Sequence, residues 1–145
     1  MTDSRWTRRQ IRDVCLDIYS GGTPSRKRPE YFENGNILWI KSKELQDGPI
    51  YGSEEKITSK ALNESSAKIF PINTILMAMY GATVGQLAFL KKEASTNQAI
   101  CGMLVDKEII DHKFLFYSLL NYRDNLISQA FGAAQQNINQ EMIKD

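Results

Sequence analysis

Positively charged side chains form three short clusters in the first third of the chain. The clusters are Arg5/Arg8/Arg9/Arg12, Arg26-Lys27-Arg28 and the Lys41-Ser42-Lys43 stretch, whose polar groups are expected to be exposed. Guanidinium and ammonium groups bind phosphate oxygens. A basic cluster is more often a solvated surface, and the net charge of only +1 favours neither interpretation. These residues are therefore candidates for phosphate contact.

Amide and aromatic side chains form a second set of candidates. They are Tyr80 and Thr83 between two apolar runs, the Asn97-Gln98 pair, and Gln135-Gln136 in a stretch rich in small residues and amides. Planar and amide groups can contact the edges of nucleic-acid bases. Asn97 and Gln98 can equally satisfy buried backbone groups, and the sequence leaves both interpretations open.

The sequence lacks the patterns of catalytic, metal or cofactor sites. The only histidine, His112, has no partner for general-base catalysis, and we expect it on the protein surface. Cys15 and Cys101 are far apart, without a Cys-x-x-Cys motif or paired histidines. The Gly21-Gly22 loop lacks the spacing of a phosphate-binding loop, and Glu54-x-Lys56 lacks the upstream acidic partner of a metal-dependent nuclease. We predict a non-catalytic protein with no metal and no cofactor.

Length and composition predict one globular domain. The chain has 145 residues, of which 42% are hydrophobic and 24% charged, as is usual for a folded domain. No stretch approaches the ~20 apolar residues of a transmembrane helix, and no apolar signal core follows the basic start. Two distant cysteines suit a reducing compartment. We therefore expect a cytoplasmic protein without a membrane partner.

One stretch, residues 74–89, is expected to organise the domain. Two apolar runs of strand length flank Tyr80-Gly81-Ala82-Thr83, and glycine is costly inside a helix. This pattern predicts a central β-hairpin whose tip presents Tyr80 and Thr83. Gly81 would supply backbone freedom at the turn, and Gly85 would permit a bulge or a close backbone approach.

The remaining elements follow from hydrophobic period and turn residues. Strands are predicted at 11–19, 36–40, 50–51 and 95–105, a capped helical turn at 59–62, and a loop from Ser20 through Pro29. Asp111 is a good N-cap for a helix that Gly132 ends, with apolar residues recurring at Leu115, Leu119, Tyr122, Leu126 and Ala130. Asn137 or Asn139 would cap a second helix that has no room to finish before Asp145.

Several of these stretches, taken together and in order, resemble one protein family. They are Trp6 with Ile11-Arg12-Asp13-Val14, Gly21-Gly22-Thr23-Pro24-Ser25, Tyr31-Phe32 with Gly35-Asn36-Ile37-Leu38-Trp39-Ile40, Ser65-Ser66-Ala67-Lys68, Met79-Tyr80-Gly81-Ala82-Thr83-Val84-Gly85, Thr96-Asn97-Gln98-Ala99, and Gly132-Ala133-Ala134-Gln135-Gln136-Asn137-Ile138. The series resembles a target-recognition domain of type I restriction-modification specificity subunits, from about residue 6 to residue 143.

The resemblance implies an α+β fold: a mixed, β-sheet-rich domain at 1–136 with a long helix in its second half. Residues 137–145 would start a spacer or dimerisation helix. It further implies a domain that reads one half of a bipartite target in double-stranded DNA. The implied partners are a methyltransferase (modification) subunit, a restriction subunit, and a second specificity half-subunit or a second copy of the chain.

A protein-interaction module without direct base readout remains the alternative. The apolar stripe Leu115/Leu119/Tyr122/Leu126 can bind a partner helix, although core packing explains it more simply. On the favoured hypothesis, the residues predicted to bind DNA are Arg26, Lys27, Arg28, Lys41, Ser42, Lys43, Tyr80, Thr83, Asn97, Gln98, Gln135 and Gln136.

Overall fold

The computed structural model describes the backbone of residues 10–132 and Ile143, and the side chains of residues 10–128 and Ile143. The regular elements are α1 (Ile11–Val14), β1 (Cys15–Ser20), β2 (Ile37–Ile40), β3 (Gly48–Ile50), β4 (Glu55–Ile57), α2 (Ser59–Asn63), β5 (Ile75–Ala78), β6 (Leu87–Leu90), β7 (Ser95–Thr96), β8 (Ile100–Val105) and α3 (His112–Gly132). The predicted α+β fold is confirmed. Trp6, Arg5, Arg8, Arg9, Gln135, Gln136 and the predicted helix cap at Asn137 or Asn139 lie outside the described residues.

A five-stranded sheet in the order β1-β8-β5-β6-β3 forms the centre of the domain. Its neighbouring strands are antiparallel, except that β3 runs parallel to β6. Every residue of β5 and β6 is buried, because both faces of this sheet are covered. On one face Met77 and Met103 pack with Phe116 of α3, and on the other Leu76 packs with Ile40 and Phe70.

A smaller three-stranded sheet, in the order β4-β2-β7, adjoins the second face. Strand β2 is antiparallel to β4 but parallel to β7, so β2 and β7 end at the same edge. Trp39 and Ile57 of this sheet pack with Tyr31 and with Ala61 of α2 in a separate apolar cluster. The α2 turn is capped by Thr58, whose hydroxyl oxygen accepts a hydrogen bond from the Ala61 N–H at 3.1 Å, as the sequence predicted.

The predicted central hairpin is confirmed as β5 and β6, with Ile75 opposite Phe89 and Met77 opposite Leu87. Gly81 and Gly85 have φ angles of 86° and 87°, values that favour glycine. At Gly85 the predicted close approach is to α3, because a Cβ there would lie 2.8 Å from the Ile127 Cδ1. The hairpin is therefore fitted to the helix at this position.

Two predicted strands differ in the structure. Residues 11–14 form the helical turn α1, because the Asp13 carboxylate accepts a hydrogen bond from the Gln10 N–H at 3.2 Å and closes the turn. The predicted strand 95–105 is divided into β7 and β8, which belong to different sheets. The Asn97 N–H still donates to the Ile40 carbonyl oxygen of the small sheet at 3.0 Å, and the Ile100 N–H then donates to the Asn97 carbonyl oxygen at 3.4 Å, which closes the turn into the large sheet.

Smaller corrections concern the third strand and the long helix. Strand β3 begins at Gly48, inside the predicted turn, and ends at Ile50. Helix α3 is confirmed, with the Asp111 carboxylate accepting from the Lys113 N–H at 2.8 Å. His112 is half-buried, with its ring edge against Phe89 at 5.6 Å between centroids, so the predicted surface position was wrong.

The apolar stripe of α3 is mostly core. Leu115, Leu119 and Leu126 are buried against the large sheet, whereas Tyr122 is 44% exposed. Ile143 is helical and buried in the same core cluster. Within the described ranges, no helix is both long and apolar enough to cross a membrane.

Candidate nucleic-acid interface

The residues that follow β2 form the centre of the candidate interface. Lys41, Ser42 and Lys43 leave the end of this strand, and residues Ser42–Glu44 form a 3-10 turn. The Glu44 carboxylate accepts hydrogen bonds from the Lys41 N–H at 2.7 Å and the Glu54 N–H at 2.9 Å. The turn therefore ties the lysines to the segment that precedes β4.

Arg26 reaches the same place from the loop after β1. Its guanidinium group donates to both carboxylate oxygens of Glu55, at 2.7 and 3.0 Å. The guanidinium carbon lies 4.5 Å from the ring centre of Phe32 and 5.0 Å from that of Trp39, which are cation–π distances. Arg26 is thus held on its planar faces and along one edge.

Glu54 and Glu55 complete a group of five side chains, Arg26, Lys41, Lys43, Glu54 and Glu55, which we call the charge cluster. The Lys41 Nζ lies 2.9 Å from Glu55 and 3.9 Å from Glu54, and the Lys43 Nζ lies 3.4 Å from Glu54. Hydrogen bonds from Arg26 and then Lys41 lower the pKa of Glu55 from 4.5 to about 2. The hydrogen bond to Glu55 in turn raises the pKa of Lys41.

The basic triplet of the loop is divided by the fold. Arg28 turns away from the charge cluster and forms ion pairs with Glu30 at 2.8 Å and Glu64 at 3.4 Å. It also donates to the Tyr31 hydroxyl at 2.8 Å, and that hydroxyl donates to Glu64 at 2.6 Å. Lys27 is exposed and makes no ion pair with any described residue. Of the three, only Arg26 belongs to the cluster.

The predicted amide residues lie at the same edge as the lysines. Ile40 is paired with Thr96 in parallel strands, so Lys41 and Asn97 leave neighbouring strand ends. The Gln98 side-chain oxygen accepts a hydrogen bond from the Thr23 hydroxyl. The Asn97 Oδ1 is buried without a hydrogen-bond partner among the described residues. This atom therefore does not satisfy a described backbone N–H group, which was one of the two alternatives for Asn97.

The hairpin tip adjoins this segment. The Met79 N–H donates to the Ala99 carbonyl oxygen at 2.8 Å, which fixes the start of the tip beside Gln98. Tyr80 is half-buried against the core, and Thr83 is half-buried with its carbonyl accepting from the Gln86 N–H at 2.9 Å. The hairpin tip and the Asn97-Gln98 segment therefore lie at neighbouring strand ends, whereas Arg28 turns away from them.

The sequence analysis missed two kinds of residue at this site. The sequence pattern treats Glu54 only as part of a rejected Glu54-x-Lys56 nuclease motif and gives Glu55 no role, although adjacent carboxylates near basic clusters can indicate ion pairing. Tyr51 was read only as the start of a strand, yet it is exposed and lines an open groove of about 410 Å³ with Lys43 and Glu54. Nothing in the sequence shows that β3 and β4 bring these residues together.

Side chains that could ligate a metal do not group together in the described part of the chain. No set of three or more His, Cys, Asp or Glu side chains that could hold a metal ion occurs among the described residues. Burial lowers the pKa of His112, whose ring lies edge-on to that of Phe89. The arrangement is suited to contacts with a charged polymer surface.

The chain is similar in sequence to specificity subunits of type I restriction enzymes. It is 36% identical over 115 residues to the MjaIX specificity subunit of a type I restriction enzyme from Methanocaldococcus jannaschii, covering 77% of this chain and 26% of the relative. The EcoR124I/EcoR124II specificity subunit from Escherichia coli is 31% identical over 104 residues, covering 70% and 26%. The chain thus spans about a quarter of the length of these relatives.

The solved structures agree on the fold. The crystal structure of the HsdS subunit from Thermoanaerobacter tengcongensis matches with a TM-score of 0.69 and 14% identity, over 94% of this chain and 30% of that one.

The family model described as "Type I restriction modification DNA specificity domain" matches residues 3–145. The resemblance drawn from the motifs is confirmed: the chain belongs to the family of type I restriction-modification DNA specificity domains.

Proposed function

We propose that this chain reads one half of a bipartite DNA target and takes no part in catalysis itself. The observation that carries the proposal is the family match over residues 3–145, nearly the whole chain. The charge cluster and the Asn97-Gln98 segment support it, because they place cations beside amide groups at one edge of the small sheet. Cations would engage phosphates, and amide or aromatic groups would engage base edges.

The proposed division of labour follows the positions of the side chains. Lys41, Lys43 and Lys27 would contact phosphates, since their ammonium groups are exposed or only partly occupied by carboxylates. Arg26 would mainly organise the cluster, because its guanidinium group is engaged by Glu55 and two rings. Gln98, Tyr80 and Thr83 are the described candidates for base contact. Gln135 and Gln136 stay predictions, as does the boundary between a domain at 1–136 and a spacer helix at 137–145.

The partners proposed for the chain come from its relatives. Their names describe specificity subunits of type I restriction enzymes. We infer that a protein containing this domain directs a methyltransferase subunit and a restriction subunit to DNA, and that a second half-subunit or a second copy supplies the other half-site. The described part of α3 offers no complete apolar stripe for a partner, because Leu115, Leu119 and Leu126 are buried.

Selection from a random pool of DNA duplexes at low salt tests the proposal. We expect enrichment of one short sequence, because each mismatched base pair in a recognised site weakens the binding free energy by about 1–3 kcal/mol. The control is a variant with Lys41→Glu and Lys43→Glu, which should bind every duplex more weakly and with a flatter salt dependence. Absence of enrichment, together with equal binding by the control, would contradict the proposal for this domain.

A further inference from the structure

The charge cluster contains nearly as many carboxylates as cations, which is unexpected for a surface that meets phosphates. Lys43 and Glu54 are its most exposed members, with side chains 63% and 51% accessible. Lys41 and Glu55 are more enclosed, at 21% and 28%. The two carboxylates therefore occupy different environments within one cluster.

Glu55 is firmly engaged. Its two oxygens accept from the Arg26 guanidinium, and one of them also lies 2.9 Å from the Lys41 Nζ. Bidentate arginine–carboxylate pairs are the stronger ones because both groups are planar and donate or accept in parallel. Displacing this carboxylate would also release Arg26 from the rings of Phe32 and Trp39.

Glu54 is held near the lysines by its backbone. Its N–H donates to the Glu44 carboxylate, which also binds the N–H of Lys41. Among the described residues, the side chain itself has only long ion pairs, 3.4 Å to the Lys43 Nζ and 3.9 Å to the Lys41 Nζ. Exposed pairs of this kind contribute little to stability, so a phosphate can replace the carboxylate at small cost.

We propose that Glu54 is a displaceable counterion of Lys43 and Lys41 that suppresses sequence-independent binding to DNA. The inference rests on the proposed function, since it needs these lysines to meet phosphates. When a phosphate binds either lysine, it takes the place of the Glu54 carboxylate, but that carboxylate moves only a few ångströms away because the Glu54 backbone is tied to Glu44. Repulsion between the two anions then offsets part of the attraction that any duplex would gain. Only a duplex that adds base contacts would bind well.

The test uses the full 145-residue chain with Glu54→Gln, which keeps the size of the side chain and removes its charge. Binding to a duplex of arbitrary fixed sequence is measured over a range of salt concentrations. We expect the variant to bind about fivefold more tightly at low salt, the effect of one unit charge a few ångströms away in water. The salt dependence should steepen, because more counterions are released from the DNA.

Glu108→Gln is the matched control. It also removes one exposed negative charge. Glu108 lies beyond Val105, the end of β8 that is farther from the Asn97-Gln98 segment, and this strand spans about 20 Å. A second control repeats Glu54→Gln in a Lys41→Gln, Lys43→Gln background. There the substitution should no longer change affinity, because the coupling requires those lysines.

The outcomes separate this inference from the proposed function. The inference is supported if Glu54→Gln increases the affinity for DNA, Glu108→Gln does not, and the increase disappears in the Lys41→Gln, Lys43→Gln background. Equal tightening by Glu108→Gln, or an unchanged or weakened affinity in Glu54→Gln, overturns it while binding by the unsubstituted chain still supports the function. No binding by either the unsubstituted chain or Glu54→Gln overturns both.

Discussion

Glu55 contacts two cations of the charge cluster, Arg26 and Lys41. It links Arg26, from the loop after β1, to Lys41, from the end of β2, and itself lies on β4. Three segments distant in sequence are thereby joined by one carboxylate. Because the side chain of Glu55 is only 28% exposed, its ion pairs are less screened than those of Glu54.

The stability of the domain should depend on pH through Glu55. The pKa of this carboxyl is lowered from 4.5 to about 2 in the folded chain, so ionised Glu55 stabilises the fold. That contribution is complete above about pH 5 and is lost as the pH falls towards 2, because the unfolded state binds the proton first. We expect Glu55→Gln to lower the free energy of unfolding by about 1 kcal/mol near pH 7.

Urea denaturation of both proteins from pH 7 down to pH 2 measures the effect. The difference in free energy of unfolding between them should shrink over the lower half of that range. A difference that stays constant with pH would show that Glu55 acts through packing and not through its charge.

At the scale of elements, the Gly21-Gly22 loop joins the two sheets. The Gly21 N–H donates to the Ile100 carbonyl at 3.1 Å, and the Gly22 N–H donates to the Thr96 carbonyl at 3.0 Å. The Trp39 indole N–H donates to the Gly22 carbonyl at 3.1 Å. The two glycines therefore serve the packing of the strand ends, and they are too buried to form a surface for DNA.

Gly22→Ala should destabilise the domain strongly. A Cβ at this position would lie 2.6 Å from the Ala67 backbone nitrogen, which a rigid neighbour cannot accommodate without a shift of the chain. Overpacking of this kind costs about 1–3 kcal/mol. Thermal or urea denaturation measures the loss.

Gly52→Ala is the control for that substitution. A Cβ at Gly52 would have no atom within 4 Å, and its φ is not in the left-handed region. We expect this variant to be as stable as the unsubstituted chain or slightly more so, because alanine restricts the unfolded state. Equal stability of the Gly22 and Gly52 variants would contradict the role assigned to the loop.

The hairpin tip is also tied to α3. Arg123 on this helix forms an ion pair with Asp47 at 2.7 Å, and the same carboxylate accepts from the Leu87 N–H at 3.0 Å. Gly85 lies against the same helix, beside the side chains of Arg123 and Ile127. The conformation that presents Tyr80 and Thr83 is therefore set by contacts on the side of the hairpin away from the small sheet.

At the scale of the whole molecule, shared segments and a shared core cluster join the two sheets. The two sheets share the Asn97–Ala99 connection and the Gly21-Gly22 loop, and Ile40 of the small sheet packs in the core cluster of the large one. Neither sheet can lose its strand ends without exposing the core of the other. We therefore expect the two sheets to unfold together.

Trp39 reports on the small sheet, in which it is 1% exposed. In a Trp6→Phe variant the fluorescence of Trp39 should change at the same urea concentration as the far-ultraviolet circular dichroism, which reports on all elements. An earlier fluorescence transition would mean that the small sheet, and with it the charge cluster, unfolds independently.

The sequence was informative where local physical chemistry decides the structure. The hairpin at residues 75–90 follows from apolar runs and two glycines with positive φ, and α3 follows from an Asp111 cap and a helical period. Local patterns failed at two places for different reasons. Residues 11–14 alternate like a strand, but a local side-chain hydrogen bond between Asp13 and the Gln10 N–H closes a helical turn there. The apolar run 95–105 is divided by a distant contact, because the Asn97 N–H pairs with the Ile40 carbonyl of the small sheet.

By itself, the sequence determined the family, the α+β class and the residue types available for DNA contact, because these depend on motifs and on hydrophobic period. Only the tertiary structure decided which cations lie together. It separates Arg28 from Arg26, pairs both with carboxylates, and brings Lys41 beside Glu55. Electrostatic energy depends on distances of a few ångströms between segments far apart in the chain, and those distances are fixed only when the sheets pack.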